Sequence, residues 1–267
     1  MLKQAIDFFE ESKNIHELLS NISENSLDTK TQFKNWSFND IIRHLHVWNI
    51  AACKSLKGDE KWENFNSILQ SFFKEGKKLT DFEKFITNNL NGKNLLNIWE
   101  NTFKNVSEEF KKESPKKRVK WVGPDMSVIS SISARHMETW AHSQAIYDSL
   151  GIVRNNKDRI LNIVIIGNNT FEWTYKVNNR EIPIKKPYLN LISPSGKVWE
   201  FNDSSNKDKI EGLAEEFCQV VTQVRNIKDV NLKLSGNTST EWMSIAQCFA
   251  GKASSPPLPG TRKLITQ

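Results

Sequence analysis

The sequence predicts an α+β protein made of an antiparallel four-helix bundle at residues 1–153, a small α/β domain at 154–250 and a tail at 251–267. Apolar residues recur at helical spacing across most of the first part, whereas alternating, strand-like segments appear only in the second. The length of 267 residues also favours two domains, because a typical domain has about 150 residues.

The first two predicted helices begin the bundle. One spans residues 2–19, and the other begins near Ser37. Asp40 follows Ser37 at the spacing of a capping box, in which each side chain accepts a hydrogen bond from the other residue's backbone N–H. The second helix carries an apolar stripe at i, i+4, i+7 and i+11, formed by Ile41, Leu45, Trp48 and Ala52. We expect this stripe to face the bundle interior.

A helical excursion and two long helices complete the predicted bundle. Residues 62–91 hold shorter amphipathic pieces, one of them opened by a capping box of Thr80 and Glu83. A long helix with regularly spaced apolar residues follows this excursion. The last helix runs over residues 127–150 and stops at Gly151, a residue type that favours helix C-termini.

The second part mixes helices and strands. A Ser-Pro-Ser-Gly sequence between two alternating segments predicts a hairpin of residues 188–192 and 197–201. The run of apolar residues at 163–166 would suit a buried strand, but a helix is favoured there. The remaining predicted elements are a helix at 158–173 capped by Asp158, a helix at 211–224, a strand at 230–234 and a helix at 240–250. Such a mixture is typical of a small α/β domain.

Composition argues against several classes of protein. The longest apolar stretches, such as residues 160–166, are far shorter than the roughly 20 residues of a membrane span. The acidic N-terminal segment lacks the apolar run of a signal peptide. Three scattered cysteines without a CxxC pair offer neither a disulfide framework nor a thiolate zinc site. We therefore expect a cytoplasmic protein without a membrane partner.

The net charge of +6 does not indicate a nucleic-acid-binding protein. Residues 1–155 carry 22 basic and 20 acidic side chains, against 15 and 11 in the remainder, so neither part is strongly polarised. A solvated connection between helices explains the densest basic cluster, at 111–120, better than a phosphate-binding patch does. No nucleic-acid partner is expected.

The predicted helix at 127–150 carries the first candidates for metal chemistry. Glu138 and His142 are four residues apart and emerge on one face, where a carboxylate and an imidazole can share a divalent ion. Arg135 lies on the same side, and small residues dominate that side. As a bare spacing, however, such a pair is most often a surface ion pair, and a small-residue stripe also suits close helix packing.

A third ligand has to come from another helix, because an open catalytic zinc site usually has three protein ligands. His44 lies on the apolar stripe of the second helix and is the candidate, although a lone inward histidine is more often a core residue. His46 is expected to face outward, and His136 is expected to be a packing or surface residue.

These residues resemble a known family. The segment WSFNDIIRHL, which starts at Trp36 and contains His44, resembles the GWT…DxxxHL segment of DinB-like proteins, specifically the mycothiol-dependent maleylpyruvate isomerase group. The RxxExxxH segment that starts at Arg135 is similar to that group's second metal motif. The resemblance covers about residues 30–262 and is closest to a bacterial subfamily in which a DinB-like bundle precedes a wyosine-base-formation-type C-terminal domain. Further segments resembling that subfamily are WVGPxMS from Trp121, SPSGxxW from Ser193 and WxxIAQxFAG from Trp242.

The resemblance implies a zinc ion held by His44, Glu138 and His142, and a low-molecular-weight thiol as co-substrate. It further implies that zinc lowers the pKa of the thiol, and that an arginine serves a carboxylate substrate or a developing enolate charge. Arg225 is the first candidate for that arginine and Arg135 the second. A surface arginine at a helix end is an equally good interpretation of Arg225.

The leading hypothesis is therefore a zinc-dependent enzyme that activates a thiol or water for isomerisation or thiol transfer on a small, carboxylate-bearing substrate. Two alternatives stay open: a metal-dependent hydrolase, and a metal- or ligand-binding protein without turnover. Nucleic-acid modification, suggested by the family name of the C-terminal domain, is disfavoured because the sequence lacks an iron–sulfur cysteine motif.

Overall fold

The structure, a computed structural model, describes residues 1–265 and divides into two compact units, Met1–Ser149 and a second unit from Leu150 onward. The first unit holds six helices and a short hairpin. These elements are α1 (Lys3–Ser20), α2 (Phe38–Leu56), α3 (Asp59–Lys74), α4 (Leu79–Ile86), α5 (Gly92–Lys112), β1 (Arg118–Val119), β2 (Met126–Ser127) and α6 (Val128–Leu150). The predicted α+β class, with a helical bundle first and a mixed α/β part second, is confirmed.

The four long helices α1, α2, α5 and α6 form the bundle, and two of their pairs run antiparallel. Near the start of α1, the backbone oxygen of Ala5 accepts a hydrogen bond of 2.9 Å from Ser107 near the end of α5. Across α2 and α6, His44 faces Glu138 while the later Asn49 faces the earlier Arg135. In both pairs the later part of one helix therefore lies beside the earlier part of the other.

Helices α2 and α5 run in the same direction. Asn39 at the start of α2 accepts a hydrogen bond of 2.8 Å from the backbone N–H of Gly92 at the start of α5, and Cys53 contacts Asn105 about four turns further along both helices. The excursion through α3 and α4 makes this possible because it returns the chain to the end of the bundle where α2 began. It also packs an aromatic cluster, including Trp62, Phe65 and Phe82, against α2.

The capping box predicted at the start of α2 is confirmed. The backbone N–H of Asp40 donates to the Ser37 hydroxyl at 3.1 Å, and the backbone N–H of Ser37 donates to the Asp40 carboxylate at 2.9 Å. The predicted end of α6 is also confirmed, since Gly151 follows the helix with a φ of +68°. Glycine adopts this left-handed conformation at little cost.

The capping box predicted for Thr80 and Glu83 is wrong. Helix α4 begins at Leu79, and Asp81 caps it by accepting a hydrogen bond of 2.9 Å from the backbone N–H of Lys78. Glu83 is instead 1% exposed and points into the bundle. The shorter Asp81 side chain satisfies the helix start, which leaves Glu83 available for a contact across the fold.

The second unit combines four helices with a four-stranded sheet among the described residues. Its elements are α7 (Leu161–Asn169), α8 (Phe171–Val177), β3 (Tyr188–Ile192), β4 (Val198–Phe201), β5 (Lys209–Leu213), α9 (Ala214–Val221), β6 (Lys233–Ser235) and α10 (Asn237–Ile245). The strand order is β4-β3-β5-β6, with β3 parallel to β5 and the other two pairs antiparallel. The hairpin of β3 and β4 is confirmed, with Leu189 opposite Phe201.

Three helix predictions in this unit needed correction. Residues 158–173 are largely helical, but a break at Thr170 separates α7 from α8, and the Asp158 carboxylate accepts hydrogen bonds from Ser195 rather than capping a helix. The helix predicted at 211–224 loses its start to β5, since pairing with the buried strand β3 overrides local helical preference. The last helix covers Asn237–Ile245 instead of 240–250.

The strand predicted at 230–234 is shifted. Strand β6 covers Lys233–Ser235, and a short 3-10 turn occupies Ile227–Asp229 just before it. The described part of the predicted tail, residues 251–265, lies against its own unit. For example, the backbone N–H of Ser254 donates to Gln247 at 2.8 Å, and Asn226 donates to the backbone oxygen of Pro257 at 2.8 Å.

No helix within residues 1–265 is both long enough and apolar enough to cross a membrane.

Candidate metal centre

Helix α6 supplies two of the three predicted metal ligands. The Oε2 atom of Glu138 lies 2.9 Å from Nε2 of His142, one helical turn further along. Both side chains are partly buried on the face of α6 that looks toward α2. The i, i+4 spacing therefore places a carboxylate oxygen and an imidazole nitrogen side by side, as the sequence indicates.

Helix α2 brings His44 to the same point. Its Nε2 atom lies 3.5 Å from Oε2 of Glu138, and the ring centroids of His44 and His142 are 4.6 Å apart. One candidate ligand atom from each of the three residues lies within 4.8 Å of the other two. Two imidazole nitrogens and one carboxylate oxygen in this arrangement fit a divalent metal ion.

Glu83 on α4 orients His44, and sequence reasoning missed this role. Its Oε1 atom lies 2.7 Å from Nδ1 of His44 and accepts a hydrogen bond of 3.1 Å from the indole N–H of Trp48. A carboxylate at Nδ1 keeps a proton on that nitrogen, so that Nε2 is the nitrogen that can give up its proton and bind a metal ion. The only local signal is that Asp81 offers a better cap for α4, which leaves Glu83 without a local partner.

The pKa values of all three candidate ligands are shifted. Burial lowers the pKa of His44, but the Glu83 and Glu138 carboxylates outweigh burial and raise it to about 9. Burial raises the pKa of Glu138, but its contacts with His142 and His44 hold the value well below its usual range. The pKa of His142 is lowered, chiefly by burial. Glu138 is therefore ionised and ready to bind a cation at neutral pH.

Aromatic rings cover the histidines. The Trp36 ring stacks on His142 with centroids 5.9 Å apart and an angle of 17° between planes, and Phe33 meets His142 edge-on at 5.0 Å. Between these rings, Lys34 and Asn35 have φ values of 52° and 57°, and the backbone N–H of Trp36 donates to the Phe33 oxygen at 2.9 Å. Two positive φ values inside a four-residue turn are the mark of a type I′ turn. This turn directs both rings toward the ligands.

Arg135 lies on the ligand side of α6 but is 2% exposed. Its Nε–H donates to Oδ1 of Asn49 on α2 at 3.1 Å. Burial lowers the pKa of the guanidinium to about 10, and the nearby Glu138 charge opposes that shift. Arg135 is consequently a buried cation at neutral pH.

Arg225 belongs to the second unit, just after α9, where its Nη1–H donates to the backbone oxygen of Val224 at 3.3 Å. His44, Glu138 and His142 all belong to the first unit.

The sequence predicts the environment of one histidine outside the site wrongly and that of another correctly. His46 was expected to face outward, but it is 6% exposed and its Nδ1 atom lies 3.0 Å from the Thr102 hydroxyl on α5. The prediction was wrong because α2 is covered on both sides, by α6 and by α5. His136 is fully buried and faces Glu11 on α1, which agrees with a packing role.

A family model supports the resemblance noted in the sequence. The model of the mycothiol maleylpyruvate isomerase N-terminal domain matches residues 8–147, which is more than half of the chain and includes all three candidate ligands. The chain belongs to this family. The family resemblance, including its DinB-like character, is thereby confirmed for the helical unit.

Similar proteins and structures are consistent with this membership. Two uncharacterized proteins from different strains of Mycobacterium tuberculosis are each 35% identical over 157 residues, which is 59% of this chain and 61% of each relative. The match therefore spans about three-fifths of the length of these relatives. Crystal structures of the mycothiol-dependent maleylpyruvate isomerase and of a histidine-to-alanine mutant each give a TM-score of 0.52 at 14% identity. They cover 82% of this chain and 87% of the isomerase chain, which supports the fold.

Proposed function

We propose that this protein is a cytoplasmic, zinc-dependent enzyme that activates a low-molecular-weight thiol for isomerisation or thiol transfer on a small, carboxylate-bearing substrate. Water is the alternative nucleophile at the same site. The observation that carries the proposal is the convergence of His44, Glu138 and His142 within 4.8 Å in a chain of the maleylpyruvate isomerase family. The family's name makes mycothiol the first thiol to test.

The donor set suits the proposed zinc ion. Imidazole nitrogen and carboxylate oxygen are common zinc ligands, and a set of three protein ligands is typical of catalytic zinc sites. When bound, zinc supplies a positive charge that lowers the pKa of a thiol or a water molecule, so that the nucleophilic anion is available at neutral pH.

The surrounding residues prepare the site for this chemistry. Glu83 holds a proton of His44 at Nδ1, so that Nε2 is the nitrogen available for the ligand role. Phe33 and Trp36 shield the histidines from water, which strengthens electrostatic interactions inside the site.

An arginine is proposed to receive the negative charge of the substrate. Arg225 is the first choice. Its guanidinium could bind a carboxylate through two parallel hydrogen bonds. Arg135 is the second choice, and its burial and its position one turn before Glu138 favour an electrostatic influence on the site. A C-terminal domain of the wyosine-base-formation type, as the sequence suggests, is part of the same proposal.

The test measures turnover by the zinc-loaded protein and its variants. The zinc-loaded protein is incubated with mycothiol or another small thiol and maleylpyruvate, and the loss of substrate ultraviolet absorbance is followed. We expect thiol-dependent turnover in the wild type and none in His142→Ala. We also expect Arg225→Gln to raise KM more than it lowers kcat, whereas the matched control Lys228→Gln, at an exposed position nearby, behaves as wild type.

The outcomes separate the hypotheses. Turnover that needs no thiol would favour the hydrolase. Stoichiometric zinc with no turnover for any thiol would favour a metal- or ligand-binding protein and would overturn the proposed enzyme activity.

A further inference from the structure

Arg135 is a buried cation that forms no ion pair with a carboxylate in the described part of the chain. Among residues 1–265, its guanidinium makes one hydrogen bond, from Nε–H to Asn49, and its Nη2 atom is buried without a hydrogen-bond partner. Two neighbouring polar atoms share this property, namely Nδ2 of Asn49 and Oγ of Ser131, which lies one turn before Arg135 on α6. A buried charge is costly unless an opposite charge compensates it.

The charges around the candidate metal centre do not balance once a divalent ion is bound. Glu83 and Glu138 each contribute one negative charge, and His44 and His142 are neutral as ligands. Arg135 contributes one positive charge and the ion two, so one positive charge remains. Arg43 on α2 does not change this balance, because it forms an ion pair of 3.1 Å with Asp40.

We infer that Arg135 makes the metal centre select an anion, such as a thiolate, over a neutral molecule as the ligand that joins the three protein ligands. The inference rests on the proposed function and deepens it by assigning this residue a role in specificity. Arg135 acts through its buried charge, which already interacts with the Glu138 carboxylate in a poorly solvated environment where electrostatic interactions are strong. An anion beside the ion would neutralise the site, whereas a neutral ligand would leave the excess charge buried.

The experiment compares an anionic probe with a neutral one. The full-length protein is loaded with Co²⁺, and azide or imidazole is titrated at fixed pH while the visible absorption of cobalt is followed. We expect Arg135→Gln to weaken azide binding by about tenfold or more, the size of one charge–charge interaction in a poorly solvated site, and to leave imidazole binding nearly unchanged. Arg135→Lys, which keeps the charge, is expected to restore the preference for azide.

A second variant separates charge from packing. Asn49→Ala removes the hydrogen-bond partner of Arg135 and lowers Tm, but it keeps the guanidinium, so we expect the ratio of azide to imidazole affinity to stay close to that of the wild type. A merely structural role would lower both affinities together in Arg135→Gln and Asn49→Ala.

The remaining outcomes would overturn either the role of Arg135 or the metal site itself. An unchanged ratio in Arg135→Gln, or an equal loss of the ratio in Asn49→Ala, would overturn the inference while cobalt binding still supports the metal site. Failure of the wild type to bind cobalt would overturn the metal site and, with it, the inference.

Discussion

Oε1 of Glu83 lies 2.7 Å from Nδ1 of His44, although 39 residues separate them in the sequence. Helix α4 reaches α2 only because the excursion through α3 folds back over the bundle. The contact is almost completely buried, since the side chains of His44 and Glu83 are 9% and 2% exposed. Glu83 thereby fixes which nitrogen of His44 can bind a metal ion.

Substituting Glu83 tests this relationship. We expect Glu83→Gln to lower zinc affinity by about 10–100-fold, the usual effect of losing the carboxylate behind a ligating histidine. A competitive chelator titration measures the change. Glu75→Gln, an exposed glutamate beyond α3, is the matched control and should bind zinc as the wild type does. Equal zinc affinity in Glu83→Gln and wild type would show that the contact does not tune the ligand.

Removing one ligand tests the metal centre itself. We expect about one zinc ion per chain in the wild type and its loss in His142→Ala, because two remaining ligands bind zinc weakly in water. Elemental analysis after gel filtration gives the stoichiometry. His16→Asn is the control, since His16 lies on α1 beside Trp99 and Phe103, and that variant should keep the metal. Full retention of zinc by His142→Ala would rule out this ligand set.

Because His46 is buried, we expect the folded protein to lose stability at acid pH. Burial lowers the pKa of His46 from 6.5 to about 4, so the folded protein favours the neutral ring. The resulting stabilisation is complete above pH 6.5 and is lost as the pH falls toward 4, because the unfolded chain then binds the proton more readily. The loss amounts to roughly 3 kcal/mol.

Urea denaturation at several pH values measures this effect in the wild type and in His46→Gln. We expect the free energy of unfolding to fall more steeply in the wild type between pH 6.5 and pH 4, since the variant lacks the titrating ring. Parallel curves for the two proteins would contradict the assignment.

Substituting Gly167 by alanine is expected to destabilise the protein, although a glycine-to-alanine change inside a helix usually stabilises it. Such a change inside α7 would ordinarily stabilise the helix by about 1 kcal/mol. Here a Cβ atom would lie 2.9 Å from both the Phe217 ring and a Val221 methyl group on α9, and both side chains are buried. We expect Gly167→Ala to lower the free energy of unfolding by about 1–3 kcal/mol through overpacking.

Thermal unfolding of Gly167→Ala and of the control Asn169→Ala checks this prediction. Asn169 is exposed at the end of the same helix, so its substitution should change Tm little. A raised Tm in Gly167→Ala would mean that α7 and α9 have room for the methyl group.

Features set by short-range spacing could be predicted from the sequence. The Ser37–Asp40 capping box, the end of α6 at Gly151, the hairpin of β3 and β4 and the pairing of Glu138 with His142 all depend on residues a few positions apart. Local backbone geometry fixes such spacings, because the helix repeat and the preferences of turn residues do not depend on the rest of the chain.

Local spacing failed where a distant segment competed for the same residues. Residues 211–213 have a helical pattern, yet they form β5 because Ile210 and its neighbours pair with the buried strand β3. His46 lies opposite the apolar stripe of α2, yet it is buried because α5 covers that side as well. The hydrophobic pattern of one helix reveals its most apolar side but not the number of its neighbours.

The sequence by itself determined the class of fold, the family and a short set of candidate ligands: His44, Glu138 and His142. Only the tertiary structure decided that α2 and α6 bring those ligands together, that Glu83 orients His44, and that Arg135 is a buried cation held by Asn49. The physical reason is that these contacts join helices separated by loops and by the α3–α4 excursion. Burial and hydrogen-bond satisfaction across the whole bundle select such contacts, and no local spacing encodes them.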